Sequence, residues 1–197
     1  YDSRDSNRLP RRGHKVDLGL IYAGGLLAGD VDTMTFTGSG TKHWSLPFDT
    51  ILTARGSFAV VDSHGGDDNL PIFERQFLGG ARDLRGFQFR DIGPRDATGP
   101  NATQEVLGGA TSVFGSLEFT FPVIGQVRGA VFYDAGFVNS DSWDFNTGRL
   151  ASDVGIGVRL NLPGIGPLAV DFAVPVETPD DQADDGSQIQ FYMDYQF

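Results

Sequence analysis

The 197-residue sequence contains no cysteine, three histidines and two methionines. The missing cysteines exclude disulfides, thiol nucleophiles and zinc–thiolate sites. Positive charge is scarce too, since 15 Lys and Arg face 26 Asp and Glu and leave a net charge of −11. A chain this acidic lacks the basic face that holds phosphates, so nucleic acid is not an expected partner.

Long apolar runs and helical periodicity are also missing. No stretch approaches the ~20 apolar residues of a membrane-spanning helix, and no segment repeats apolar residues at the helical period. The G-x-S-x-G, H-E-x-x-H and P-loop motifs do not occur. The acidic runs at 62–68 and 180–185 match no calcium-binding loop. We therefore expect no enzyme, no cofactor and no bound metal. Because the chain opens at Tyr1 in a polar stretch, we expect a fragment or a processed product.

The sequence is instead rich in glycine, with 27 residues, and in phenylalanine, with 16. Apolar and polar residues alternate in about eight segments, which predicts an all-β chain. Several segments reach ten residues or more, longer than the ~5–6 residues usual for soluble sheets. The segments are 16–22, 34–46, 52–60, 113–121, 127–133, 154–160, 168–174 and 189–197.

The connections between these segments alternate in length. Those at 46–49, 121–126 and 162–167 are tight and rich in Pro and Gly, whereas 24–30, 63–105, 139–148 and 177–186 are long and polar. Short turns on one side and long loops on the other are typical of a transmembrane β-barrel, with the apolar face outward. A soluble β-sandwich or lipocalin-like barrel also alternates, but it would turn the apolar face inward.

The last segment adds a second indication of an outer-membrane barrel. Phe191, Met193, Tyr195 and Phe197 share one face, and the chain ends on the aromatic Phe197. This pattern resembles the C-terminal signal of bacterial outer-membrane barrels.

The stretch GGARDLRGFQFRDIGP, residues 79–94, fits no strand pattern. Its glycines permit tight turns, and Arg82, Arg85 and Arg90 supply planar donor groups within an acidic chain. The residues predict a loop that folds back onto its own protein.

This stretch resembles the signature of the sixth extracellular loop in the BamA superfamily. The matching residues are the pair Gly79 and Gly80, the tetrad Leu84, Arg85, Gly86 and Phe87, and the pair Gly93 and Pro94. Leu84 stands where Val is commoner. The order of elements agrees over all 197 residues, from the turn that enters the ninth strand of a sixteen-stranded barrel.

The resemblance implies a single unit, residues 1–197, that forms the C-terminal half of a transmembrane, antiparallel, up-and-down barrel. A small closed eight-stranded barrel and a homodimer of two halves stay open as alternatives. The resemblance further implies that loop 63–105 enters the lumen, where Arg85 meets Glu118 and Asp134 on the wall.

The implied function is the folding and insertion of β-barrel proteins into the bacterial outer membrane, with the C-terminus periplasmic. The implied partners are lipid and lipopolysaccharide, unfolded barrel clients, and periplasmic domains or lipoproteins of an assembly complex. A two-partner-secretion pore, and a structural or engineered barrel without assembly activity, are the alternatives.

Overall fold

The structure, a computed structural model, describes residues 1–6, 10–24, 32–63, 70–96, 104–162, 166–180, 182 and 186–193. It contains eight β-strands and one short 3₁₀ turn, Thr147–Arg149. The strands are β1 (Gly13–Ala23), β2 (Thr33–Leu46), β3 (Thr50–Ser63), β4 (Thr111–Ile124), β5 (Val127–Asn139), β6 (Ala151–Leu162), β7 (Gly166–Glu177) and β8 (Gln188–Met193). The predicted all-β fold is confirmed.

The strands form one antiparallel sheet in chain order, β1 to β8. Each strand pairs antiparallel with the next strand in the chain, so the sheet has the predicted up-and-down topology. Within the described residues, β8 pairs only with β7. Strand β1 pairs with β2 on one edge and, near its start, with the short segment 1–3 on the other, and it does not meet β8, so the sheet stays open. The small closed barrel is therefore not the arrangement observed. Eight strands reach closure only when their tilt and stagger bring the two edges together.

Strand β4 runs beyond its predicted end. The segment 121–126 was expected to be the turn, but β4 continues to Ile124, and only Gly125 and Gln126 separate it from β5. A register shift between Pro122 and Ile124 accommodates the proline, which lacks an N–H to donate. Pro122 thus signals a turn in the sequence, although in the structure it sits within an irregular part of the strand.

The two faces of the sheet differ in chemistry. The inner face, on which residues 76–94 pack, buries polar side chains such as Thr53, Ser116, Glu118 and Asp134. The outer face exposes apolar side chains from every strand, among them Leu18, Phe58, Leu117, Val131, Ile156, Phe172 and Ile189. This orientation is the one predicted for a barrel in lipid, and it is opposite to that of a soluble sandwich.

The inner face is not covered along its whole width. On β1, the neighbouring residues Leu20 and Ile21 point to opposite faces, yet each is 62% exposed. From β3 to β7, by contrast, the inner face carries fully buried residues, such as Val61 and Ala173. The long connection between β3 and β4 is thus packed over the later strands and leaves β1 open.

The described part of the chain contains no helix that is long and apolar enough to cross a membrane.

Replacing Ile156 by Lys tests the orientation of the sheet. Ile156 lies midway along β6 on the outer face and is 61% exposed. If this face contacts lipid, the charge should lower the free energy of unfolding by about 2–4 kcal/mol. The measurement is the urea-unfolding midpoint of the full-length protein in lipid vesicles. The control is Ser57→Lys, at an exposed inner-face position on β3, which should change stability little. Equal effects of the two variants would contradict the orientation.

Candidate functional site: an arginine from the loop in a carboxylate pocket

The loop segment 79–94 is held in shape by its own backbone and by Asp83. Gly79 and Gly80 have φ values of 109° and 114°, a region that side-chain-bearing residues avoid. The Asp83 carboxylate accepts hydrogen bonds from the Gly79 and Leu84 amides at 2.7 and 2.8 Å. Because Asp83 is largely buried, desolvation raises its pKa above the ordinary value. The turn that precedes Arg85 is thereby held by contacts within the loop itself.

Apolar side chains seat this turn on the sheet. Leu84 and Phe87 are fully buried and belong to one cluster with Leu78 and Ile92 of the loop. The wall contributes Phe114 of β4, Val138 of β5 and Ala151 of β6. Burial of side chains of this size stabilises by about 1.5–3 kcal/mol each. The apolar contacts therefore carry Arg85 into the inner face.

Gly86 is required by a close approach of the loop to β6. A Cβ at this position would lie 2.5 Å from Cβ of Asp153 and 3.2 Å from the backbone nitrogen of Pro175. Real Cβ atoms do not approach so closely, so any side chain would push the loop away from the wall. The glycine of the tetrad thus sets how deeply its arginine reaches.

Arg85 has no solvent exposure and binds three carboxylates. Its Nε and Nη2 donate to the two oxygens of Asp134 at 2.7 and 2.9 Å. Its Nη1 donates to Oε2 of Glu118 at 2.7 Å and to Oδ2 of Asp171 at 3.1 Å. The fork-to-fork geometry with Asp134 is the arrangement that only Arg can make with a carboxylate.

The guanidinium also stacks on an aromatic ring. Its central carbon lies 3.3 Å from the ring centroid of Phe132 on β5. An arginine over the face of an aromatic ring gains a further favourable interaction, which is larger when water is excluded. Phe132, Glu118 and Asp134 all lie on the inner face of β4 and β5, because Glu118 is the register partner of Phe132.

A second buried arginine, Arg159 on β6, completes the pocket. Its Nη2 donates to Glu118 at 2.7 Å and to Asp171 at 3.1 Å, and its Nη1 contacts the other Asp171 oxygen. Arg159 and Asp171 were not among the site residues predicted from the sequence. The signal for them was available, since both are charged residues at inner-face positions of glycine- and valine-rich strands.

The pocket contains more carboxyl groups than arginines. Glu118, Asp134 and Asp171 face Arg85 and Arg159, and Asp153 is the register partner of Asp134 on β6. All of these side chains are buried. Buried charges are tolerated only when each has its partners, so removing one arginine leaves carboxylates without compensation.

The end of the motif contacts different residues. The carbonyl of Gly93 accepts a hydrogen bond from Arg149 at 3.1 Å, and that of Pro94 accepts one from the Leu107 amide at 2.8 Å. Arg90 stacks on Phe77 at 4.0 Å, outside the pocket, whereas Arg82 is exposed. Gly93 and Pro94 thus belong to the base of the loop rather than to the arginine pocket.

Two of the residues expected to form the C-terminal barrel signal, Phe191 and Met193, lie exposed on the outer face of β8. The other two, Tyr195 and Phe197, lie outside the described residues. Most of the acidic runs at 62–68 and 180–185 also lies outside them.

A sequence profile of the Omp85 superfamily domain matches residues 1–197. The chain belongs to the Omp85 superfamily. The resemblance predicted from the sequence is thereby confirmed at the level of the superfamily.

Curated relatives of this Omp85 chain come from bacteria and animals. The outer membrane protein assembly factor BamA of Nitratidesulfovibrio vulgaris is 28% identical over 98% of the chain and 24% of its own length. The human sorting and assembly machinery component 50 homolog is 29% identical over 89% of the chain and 39% of its own length. The chain thus spans well under half of these relatives.

Solved structures share the fold. BamA from Haemophilus ducreyi lacking POTRA domains 1–3 superimposes with a TM-score of 0.80 at 22% identity, covering 98% of this chain and 41% of that one. CdiB from Acinetobacter baumannii gives a TM-score of 0.55 at 17% identity, covering 93% of this chain and 31% of that one.

Replacing Arg85 by Ala should undock the loop. The change leaves Asp134 without its guanidinium and takes from Glu118 and Asp171 one of their two. It should therefore lower the free energy of unfolding by about 3–5 kcal/mol. The measurements are the unfolding midpoint of the full-length protein in lipid vesicles and the rate of proteolysis within the loop. Arg82→Ala, which removes an exposed arginine of the same loop, is the control. An Arg85→Ala protein with unchanged stability and protease resistance would contradict a pinned loop.

Arg85 and Arg159 should act as one unit, because they share Glu118 and Asp171. Either arginine alone can still compensate part of the acidic charge, so the double Ala variant should lose more stability than the two single variants together. The expected excess is about 0.5–3 kcal/mol. A double-mutant cycle from unfolding midpoints measures it, and additive losses would show that the arginines act independently.

Proposed function

We propose that this Omp85 chain is the C-terminal barrel half of an outer-membrane assembly factor that folds and inserts other β-barrel proteins. The observation that carries the proposal is the names of relatives matched over most of the chain, which are an outer membrane protein assembly factor in a bacterium and a sorting and assembly machinery component homolog in human. The pocket around Arg85 consists of buried ion pairs that fix the loop to the wall, and this arrangement supports a structural role.

In this proposal, residues 1–197 act as one barrel unit and loop 63–105 acts as an internal latch. Leu84, Arg85, Gly86 and Phe87 form its docking tip, while Glu118 and Asp134 are its receptor on the wall. The latch ties the polypeptide between β3 and β4 to strands far along the sheet. Gly79, Gly80, Gly93 and Pro94 shape the two ends of the tip.

The insertion step in this proposal uses strand pairing and needs no nucleotide. In the described structure β8 presents an unpaired edge, whereas the corresponding edge of β1 is paired near its start with residues 1–3. Unpaired backbone N–H and C=O groups can template a strand of another protein. In the full-length protein the remaining half of the barrel closes this sheet, and the seam at β8 is where a client strand would enter.

The proposed setting is the bacterial outer membrane, with the C-terminus in the periplasm. The apolar outer face would contact lipid, and the loop side would contact lipopolysaccharide. Unfolded barrel proteins are the proposed clients, and periplasmic domains or lipoproteins of an assembly complex are the proposed partners. Pairing with a second copy is the alternative way to satisfy both sheet edges.

A secretion pore of the two-partner type is the second candidate. The observation that favours it is the fold similarity to CdiB, although its TM-score of 0.55 is below the 0.80 for BamA.

Depletion of the full-length protein in its own host tests the proposal. We expect folded outer-membrane barrel proteins to fall several-fold while their unfolded forms accumulate, because assembly is lost for all clients. Heat-modifiable mobility on gels, with membrane fractionation, measures both pools. A plasmid copy should restore assembly.

The two candidate functions predict different results. A secretion pore would leave the barrel proteins at normal levels and would abolish export of one secreted protein. Normal barrel assembly after depletion would therefore overturn the assembly proposal.

A further inference from the structure

The last described strand, β8, is an edge strand with few partners of its own. It comprises six residues and pairs with β7 from Gln188 to Met193. Its inner-face side chains are Gln188, Gln190 and Tyr192, and the alternate residues Ile189, Phe191 and Met193 are exposed outside. Contacts of the inner-face side chains are therefore the ones that can stabilise β8 beyond its backbone pairing with β7.

Two of those side chains bind the loop and its pocket. The Gln190 amide nitrogen faces the backbone carbonyls of Arg85 and Phe87 at 3.4 and 3.3 Å. The Tyr192 hydroxyl donates to Oδ2 of Asp171 at 2.9 Å. Gln190 thus touches the tip directly, on both sides of Gly86.

One carboxylate oxygen of Asp171 accepts hydrogen bonds from both the loop and β8. Oδ2 of Asp171 accepts from Tyr192 of β8 and also from Nη1 of Arg85 at 3.1 Å. Arg159 donates to the same oxygen at 3.1 Å. If the loop leaves, Asp171 loses one donor from the loop, and Gln190 loses both of its carbonyl acceptors there. If β8 leaves, the Arg85 and Phe87 carbonyls lose the Gln190 amide, and Asp171 loses the Tyr192 hydroxyl.

We infer that docking of the loop and pairing of β8 with β7 are one coupled equilibrium, transmitted by the positioning residues Gln190 and Tyr192 through the Arg85 backbone and Asp171. The loop is a brace for the terminal strand, in addition to being pinned to the wall. This inference needs only the contacts described, so it can stand or fall separately from the assembly function.

Coupling of this kind is reciprocal, because each element must affect the other by the same factor. The two directions can therefore be measured independently. Backbone hydrogen exchange suits both, since it reports local opening segment by segment.

The first measurement perturbs the loop and reads β8. In the full-length protein in lipid vesicles, Arg85→Ala should speed exchange of the amides in 188–193 by about five- to tenfold, the effect of losing about one modest hydrogen bond. Exchange across β2, which neither the loop tip nor β8 pairs with, should stay unchanged. Arg82→Ala is the matched control and should leave β8 as it is.

The second measurement perturbs β8 and reads the loop, and it does not depend on Arg85→Ala reaching the folded state. The double variant Gln190→Ala, Tyr192→Phe should speed exchange of the hydrogen-bonded loop amides, such as those of Gly80 and Phe87, by a similar factor. The control pair is Gln126→Ala with Tyr133→Phe, in the turn after β4 and on the outer face of β5.

Faster loop exchange in the Gln190 and Tyr192 variant, with β2 unchanged, would support the coupling even if Arg85→Ala does not fold. Unchanged loop exchange in that variant would overturn it. An equal rise in β2 would also overturn it, because that result shows a general loss of stability instead of a link between two elements.

Discussion

The central constraint in this structure is the full burial of a guanidinium. Arg85 carries its charge to a site without solvent, and such a charge is sustained only by partners in fixed positions. The partners come from β4, β5 and β7, with Arg159 of β6 between them. Strand order, register and inner-face polarity must therefore all be correct for one loop side chain to be satisfied. Burial of the apolar tip residues Leu84 and Phe87 stabilises the docked loop. The charged groups add specificity, because they are satisfied only when the loop docks in this one position.

Lipid on the outer face explains why such a polar interior is possible. In a soluble sandwich, the inner face would hold the apolar core, and a five-member charge cluster would displace it. Here the apolar residues face outward from each strand, so the inner face is free to carry carboxylates and arginines. The fold and the site thus follow from the same alternation of residues along the strands.

Much of this organisation could be predicted from the sequence, because it depends on local signals. Alternation located all eight strands, and the tetrad at 84–87 directed attention to Glu118 and Asp134, which the structure places within hydrogen-bonding distance of Arg85. Their functional role stays a prediction. Arg159, Asp171 and Tyr192 were not predicted as pocket residues. In the sequence each is an ordinary polar residue of the inner face, and only the strand register shows that they meet. The continuation of β4 past Pro122 was missed because proline and glycine indicate turns by residue type alone.

The pocket also has a consequence for the order in which the chain can fold. Arg85 lies 33 residues from Glu118, 49 from Asp134 and 86 from Asp171, and Gln190 lies 105 residues beyond it. Contacts of such long sequence separation form late, since the intervening chain must be ordered first. Because its carboxylate partners lie on β4, β5 and β7, Arg85 has all of them only after these strands have assembled. The contacts of the loop with Gln190 form only when β8 is in place. Complete docking of the loop therefore requires that the strands from β4 to β8 have assembled.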